Sequence, residues 1–562
     1  MIPDIPGKYK EARGRSTATD IRGLEKAIAT AGYERLQEVL YSRNNQRWEN
    51  VYKRSGVAWQ RHARVLAPIP VFSSALHALG ISEARRPSDP TSKPLSQVAW
   101  GLDSCLSAVR MLVVGQTLGA ATIMRQQLER WTLNLASNRK LTRAAHESRT
   151  EFIDRVWSPY SDGNARMGTH WNRLSEFMHA RGPHVELVRW EECSLLAKPL
   201  PSATPLSAPV IEACIWLLRG LIATTWRDAG GSDRTYQLVT GVPSLLKASS
   251  TLKFPSESLF PLSLKHLTDG SLSSLDVHQD AFSRHLRSIA TRGKGTASLE
   301  DLVVMSFIDC RRRARDAARD AFRAEEEAVG EDYEPMIVQA RYQQTILLCE
   351  MMALLATWDE STCAAEWRCG AGSLRSAFFL WLEDDDNAFT LTRSLIESLA
   401  KTRTTRIKPA RAARLRARGR LASPRDWIEA AGWKRLRLVN RALGELSHTT
   451  RNSKARGARE ALRKTLPDSE KGPSPDEYLV RGGILRAATA MAAQEISLHL
   501  DHLSPRIAGA FRDIVSPNRG LSLLEEDRWL DKVWEQREDD LGRPVEYIEP
   551  QTLEDLLGPD AR

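Results

Sequence analysis

At 562 residues the chain exceeds what one hydrophobic core usually serves, so two to four domains are expected. Its 42% hydrophobic and 27% charged residues are ordinary for globular domains and argue against wholesale disorder. The net charge of +10 is uneven: from Glu525 onward there are 13 acidic and 5 basic residues, which leaves +18 on residues 1–524 and favours a polyanionic partner or an acidic tail folded over a basic body.

The opening "MIPDIPGKYKEARGR" has no apolar run, which predicts no secretory signal. "TDIRGLEKAIATAGYERLQEVL" (19–40) follows with apolar residues at three- and four-residue spacing, an amphipathic helix. The same periodicity predicts helices at 98–115, 119–137, 210–227, 276–290, 298–328, 338–358, 388–401, 434–448 and 477–503. Strand-like alternation is scarce, and "TYQLVTGV" (235–242) is its best instance. Pro/Ser-rich breaks at 83–96, 196–209 and 229–274 mark linkers and long loops. The most apolar stretches, around 210–226 and 345–358, are short or interrupted by Glu212, Arg219 and Glu350, so no membrane span is expected. Seven scattered cysteines without a CxxC pair read as reduced, mostly buried residues of a cytoplasmic protein. The fold is predicted to be mainly α.

Two stretches share a pattern. "WNRLSEFMHARG" (171–182) and "LVNRALGELSHTTRN" (438–452) both carry Leu–small–Glu–apolar–X–His after a nearby Asn-Arg. Helix 119–137 contains Arg125 and Glu129, and helix 388–401 contains Arg393 and Glu397, both as Arg-X-X-(Leu/Ile)-Glu. His179 lies 54 positions after Arg125, and His448 lies 55 after Arg393. Ser104 and Ser373 precede those arginines by 21 and 20. Matches in one order at matched separations predict an internal duplication of a helical bundle. The expected organisation is an N-terminal helical region with its linker (1–95), a first bundle (96–230), a connector with helices (231–335), a second bundle (336–510) and an acidic C-terminal tail (511–562).

Arg and Glu at i and i+4 share a helix face and can pair locally. Arg173 precedes His179 with five residues between, and Arg441 precedes His448 with six. This Arg-X(4–6)-His pattern resembles the catalytic motif of HEPN-type ribonucleases, all-helical bundles common in bacterial antiviral and toxin systems. In that family two domains bring their motifs into one composite site. The resemblance implies His179 and His448 as the acid/base pair, and Arg173 and Arg441 as phosphate contacts. A histidine titrating near pH ~6.5 can take a proton from a ribose 2′-OH or give one to the leaving oxygen. Arginine holds the phosphate and balances charge in the transition state. No metal or cofactor is required. Arg125, Glu129, Arg393, Glu397, Asn172 and Asn440 would support the site. In the family a polar residue usually follows the arginine; here Leu174 and Ala442 do.

"KTRTTRIKPARAARLRARGRLASPR" (401–425) holds ten basic residues and no acid. Arg403, Arg406, Lys408, Arg411, Arg414, Arg416, Arg418 and Arg420 are candidates for salt-dependent nucleic-acid binding, though no aromatics interleave them to stack on bases. "EDDD" (383–386) reads as acids favouring a helix start, and "HLDH" (499–502) as helix-end residues rather than metal ligands. The sequence has no GxSxG, HExxH or Rossmann fingerprint. The resemblance implies a metal-independent RNA endonuclease of HEPN-like type that serves in antiviral defence, with RNA as the favoured partner and a partner protein or self-association as a further option. The alternatives are a non-enzymatic helical scaffold or binding protein, and a nucleic-acid-binding protein without cleavage.

Overall fold

The computed structural model describes residues 116–160, 167–178, 363–380, 385–433, 436–447, 476–503 and 505–515, together with positions 104, 105, 108, 111, 345, 347–353, 355 and 356. Among them 88% of residues are helical and none lies in a strand. In chain order the helices are α1 (Thr117–Asn138), α2 (Arg149–Trp157), α3 (Met167–Met178), α4 (Ala364–Leu380), α5 (Asp385–Ile407), α6 (Pro409–Ala417), α7 (Pro424–Ala430), α8 (Leu436–Ser447), α9 (Asp476–Leu503) and α10 (Pro505–Val515). The predicted helices 119–137, 388–401, 434–448 and 477–503 correspond to α1, α5, α8 and α9. Described positions within 98–115 and 338–358 are helical too. The predictions for 19–40, 210–227, 235–242, 276–290 and 298–328, and the expected acidic tail beyond 515, lie outside the described residues.

Two helices organise the rest. α1 packs on α2 and α3, while α5 packs on α4, α6, α7, α8 and α9, and α1 touches both α4 and α5. Neither α1 nor α5 is a simple amphipathic helix. Both are buried nearly all round, as a central helix must be. That placement needs their polar side chains satisfied internally. Thr122, Thr132, Thr392, Thr402 and Thr404 each donate a hydroxyl to the carbonyl four residues back, at 2.6–3.0 Å. The crossing of α1 and α4 is close because Gly119 presents no Cβ; one placed there would sit 2.5 Å from Met111 Cε and 3.0 Å from Ser376 Cβ. At that crossing Ser376 Oγ donates to Gln116 Oε1 at 3.1 Å.

Local signals set the helix ends. α2 starts with a capping box, Ser148 accepting from the Glu151 amide while Glu151 accepts from the Ser148 amide. Ser423 and Asp426 do the same for α7. α5 outruns its predicted end at residue 401 and stops at Ile407, because Lys408 precedes Pro409 and that proline opens α6. The basic run is therefore folded largely as helix.

Candidate functional site: a charge cluster between α1 and α5

Arg125 and Glu129 project from one face of α1, and Arg393 and Glu397 from one face of α5. Arg125 is 2% exposed, and its Nε donates to Ser175 Oγ of α3 at 2.9 Å. Its guanidinium lies 3.8 Å from Glu129 and 5.4 Å over the Trp171 ring. Arg149, at the start of α2, donates to the same Glu129 carboxylate and covers Trp171 at 5.2 Å. Its side chain is 39% exposed, so it closes the cluster toward solvent.

The second pair is tighter. Arg393 Nε donates to Glu397 Oε1 at 2.9 Å, and its guanidinium lies against Gly444 of α8, where a Cβ would come within 3.2 Å of Nη1. The two pairs belong to one electrostatic cluster. Burial pushes the Arg125 guanidinium down to about 10, Glu129 opposes that, and the charges of Arg149, Arg393 and Glu397 all act on it. At neutral pH it remains a cation. Next to Arg393, Ser394 Oγ donates to the carbonyl of Met178, the last residue of α3.

The Leu–small–Glu motif supplies the contacts on both sides. Its small residue is Ser175 in α3 and Gly444 in α8, and these positions meet Arg125 and Arg393 respectively. Asn440 is buried, and neither its Oδ1 nor Arg393 Nη1 meets a hydrogen-bond partner. Asn172 is half-buried, with Nδ2 3.5 Å from Glu176. Arg173 and Arg441 are exposed on α3 and α8. His179 and His448 lie outside the described residues, immediately after Met178 and Ser447.

No family model, curated protein or solved structure matches this chain.

The basic run divides into inward and outward members. Glu495 of α9, fully buried, accepts from Arg403 at 2.6 Å and from Arg406 at 2.7 Å. Arg403 also donates to the Ala431 carbonyl and lies over Trp433. Arg416 reaches Thr405 at 2.9 Å and lies 3.5 Å from Glu366, and Lys408 donates to the Ala430 carbonyl. Arg411, Arg414 and Arg418 are exposed, while the Arg420 side chain is outside the described set.

The described residues contain no cluster of three or more His, Cys, Asp or Glu able to hold a metal. In "HLDH", Asp501 pairs with Arg512 at 2.5 Å and the His499 ring meets Trp367 edge-on. No described helix is long and apolar enough to cross a membrane. Cys105, Cys349, Cys363 and Cys369 are buried, and burial pushes the Cys349 and Cys369 thiols up to about 12, far from nucleophilic thiolates.

Sequence reasoning missed Arg149, Trp171 and Ser394 as members of the cluster. Arg149 carried one signal: the "SRTE" capping box at 148–151 marks a helix start beside it.

Proposed function

We propose that the chain is a metal-independent RNA endonuclease of HEPN-like type, formed by two copies of one ancestral bundle and acting in antiviral defence in the cytoplasm. The observation that carries this reading is the convergence of both Arg/Glu helices, each packed on the helix that leads into its own Arg-X(4–6)-His motif, in one buried cluster. Ser175 and Gly444 stand four residues before His179 and His448, one helical turn of sequence from the contacts with Arg125 and Arg393. The Ser394–Met178 hydrogen bond ties the end of the first motif helix to the Arg/Glu helix of the second copy. Two motifs anchored to one rigid cluster suit a composite site, since acid/base catalysis needs its groups held within hydrogen-bond reach.

In this mechanism one histidine removes the ribose 2′-OH proton, the 2′ oxygen attacks the adjacent phosphorus, and the second histidine protonates the departing 5′ oxygen. Arg173 and Arg441, the exposed arginines of the two motifs, neutralise the phosphorane. Arg125, Glu129, Arg393 and Glu397 are positioning residues that hold the two helices in register. A non-enzymatic helical scaffold is favoured by a different observation: these four charges are 2–11% exposed and each arginine lies within 4 Å of the glutamate one turn along its own helix, inside the protein.

The test is cleavage of single-stranded RNA in EDTA. Wild-type protein is expected to cleave with a bell-shaped pH profile, and His179→Ala with His448→Ala to abolish cleavage. DNA, lacking the 2′-OH, should be untouched. Cleavage that persists in the double variant removes this site assignment, and an inactive wild-type protein favours the scaffold.

A further inference from the structure

The helical basic segment has two faces with different jobs. Ala412 and Leu415 of α6 are buried, and Arg416 turns inward over Trp427 toward Glu366. Arg411, Arg414 and Arg418 fall on the other side within about 60° of one another, by the 100° per residue of an α-helix. All three are exposed, and so are the small neighbours Ala410, Ala413 and Ala417, which leave the guanidiniums standing proud of the α6 surface. An acid beside the stripe is Asp426, held below the usual carboxylate range first by the Ser423 amide and then, among other causes, by the charges of Arg418 and Arg411. It lies 3.6 Å from Arg418, which leaves Arg411 and Arg414 as the members of the stripe without an ion pair among the described residues. Residues 408–429 carry seven basic side chains and two acidic ones.

Resting on the nucleic-acid reading above, we infer that the Arg411/Arg414/Arg418 face of α6 is the docking surface for the RNA backbone, and that Arg403, Arg406 and Arg416 serve the fold. The stripe rises about 10 Å along the helix, enough to track neighbouring phosphates of one strand. Guanidinium forks suit phosphate oxygens, and α6 itself carries no aromatic for base stacking, so recognition is of charge and not of sequence. Among the described residues, large exposed apolar side chains are limited to Leu421 and Ile407, which gives little to insert into a lipid surface.

The experiment measures binding of a labelled single-stranded RNA by fluorescence anisotropy across a NaCl series. It uses the His179→Ala/His448→Ala protein, so the readout does not depend on cleavage. Each phosphate contact to a single strand contributes about 0.7 to the slope of log K against log salt. Arg411→Gln with Arg414→Gln is therefore expected to lower the slope by about 1.4 and weaken binding about 25-fold at about 0.1 M salt. Arg411→Lys with Arg414→Lys should keep most of the slope, because an ammonium still neutralises a phosphate. Arg425→Gln, exposed but paired with Glu429 on α7, should change binding less than about 2-fold. The inference is overturned if the glutamine pair binds like its parent, if the lysine pair fails equally, or if the protein binds phosphatidylserine vesicles and no RNA. RNA binding with the expected slopes in a wild-type protein that does not cleave would remove only the nuclease reading.

Discussion

The Arg/Glu pair of α1 and that of α5 have the same spacing and nearly the same burial, yet they are built differently. In α5 the pair is closed: Arg393 meets Glu397 at 2.9 Å and leans on a glycine. In α1 it is open: Arg125 is drawn to the Ser175 hydroxyl, stays 3.8 Å from Glu129, and a third cation, Arg149, takes the carboxylate. One side chain on the facing helix accounts for much of this. A hydroxyl gives the guanidinium another acceptor, whereas a bare backbone gives it room and no acceptor. An i,i+4 pair predicted from sequence is thus a capacity, and the neighbouring helix decides how it is used.

The sharpest way to break this comparison is to remove each carboxylate. Glu129→Ala leaves Arg125 buried beside Arg149 with no counter-charge on its helix, and a loss of about 3–5 kcal/mol in urea unfolding is expected. Glu397→Ala should cost less, by about 1 kcal/mol, because Arg393 is the more exposed arginine. Equal losses would show that the open and closed pairs are energetically alike.

Exchanging the small residues comes next. Ser175→Ala strands the Arg125 Nε donor and should cost about 1–3 kcal/mol. In Gly444→Ser the new side chain crowds Arg393 Nη1 but offers that donor an oxygen and removes a helix glycine. Its net change should stay within about 1 kcal/mol of zero. A serine at 444 as costly as the alanine at 175 would remove the assigned role of this position. Arg149→Ala should cost only about 1 kcal/mol, and the loss should shrink in high salt, because the side chain is partly solvated and Glu129 keeps Arg125.

The smallest expected effect lies at the surface beside α2. Hydrogen bonds from Arg155 hold the Glu147 carboxyl down at about 2, against an ordinary 4.5. A carboxylate depressed in the folded state contributes stability above its unfolded pKa and loses it as pH falls through the folded one. Glu147→Gln should therefore leave a slightly flatter stability profile between pH 4.5 and 2. An unchanged profile would place the Glu147–Arg155 pair among ion pairs that contribute nothing measurable.

Much of the helical framework was legible in the residues. Apolar spacing located α1, α5, α8 and α9, and the repeated Arg-X-X-(Leu/Ile)-Glu and Leu–small–Glu segments named most of the cluster. The charged run at 401–425 was legible as a feature but not in its use. Arg403 and Arg406 are set apart from Arg411 and Arg414 chiefly by Glu495, about ninety residues away in the chain. Arg149 was hidden for the same reason, since its partners Glu129 and Trp171 lie on other helices.

By itself the sequence determined helical character, the order of the elements and the placement of Arg and Glu one turn apart on a shared helix face. All three follow from the pitch of the α-helix and from signals within a few residues, such as the Ser148 and Ser423 caps and Pro409. Only the tertiary structure decided which cations are buried, which share a carboxylate and which face solvent. Desolvation and ion pairing depend on atoms brought together from segments 20 to about 270 residues apart, and no local pattern carries that information.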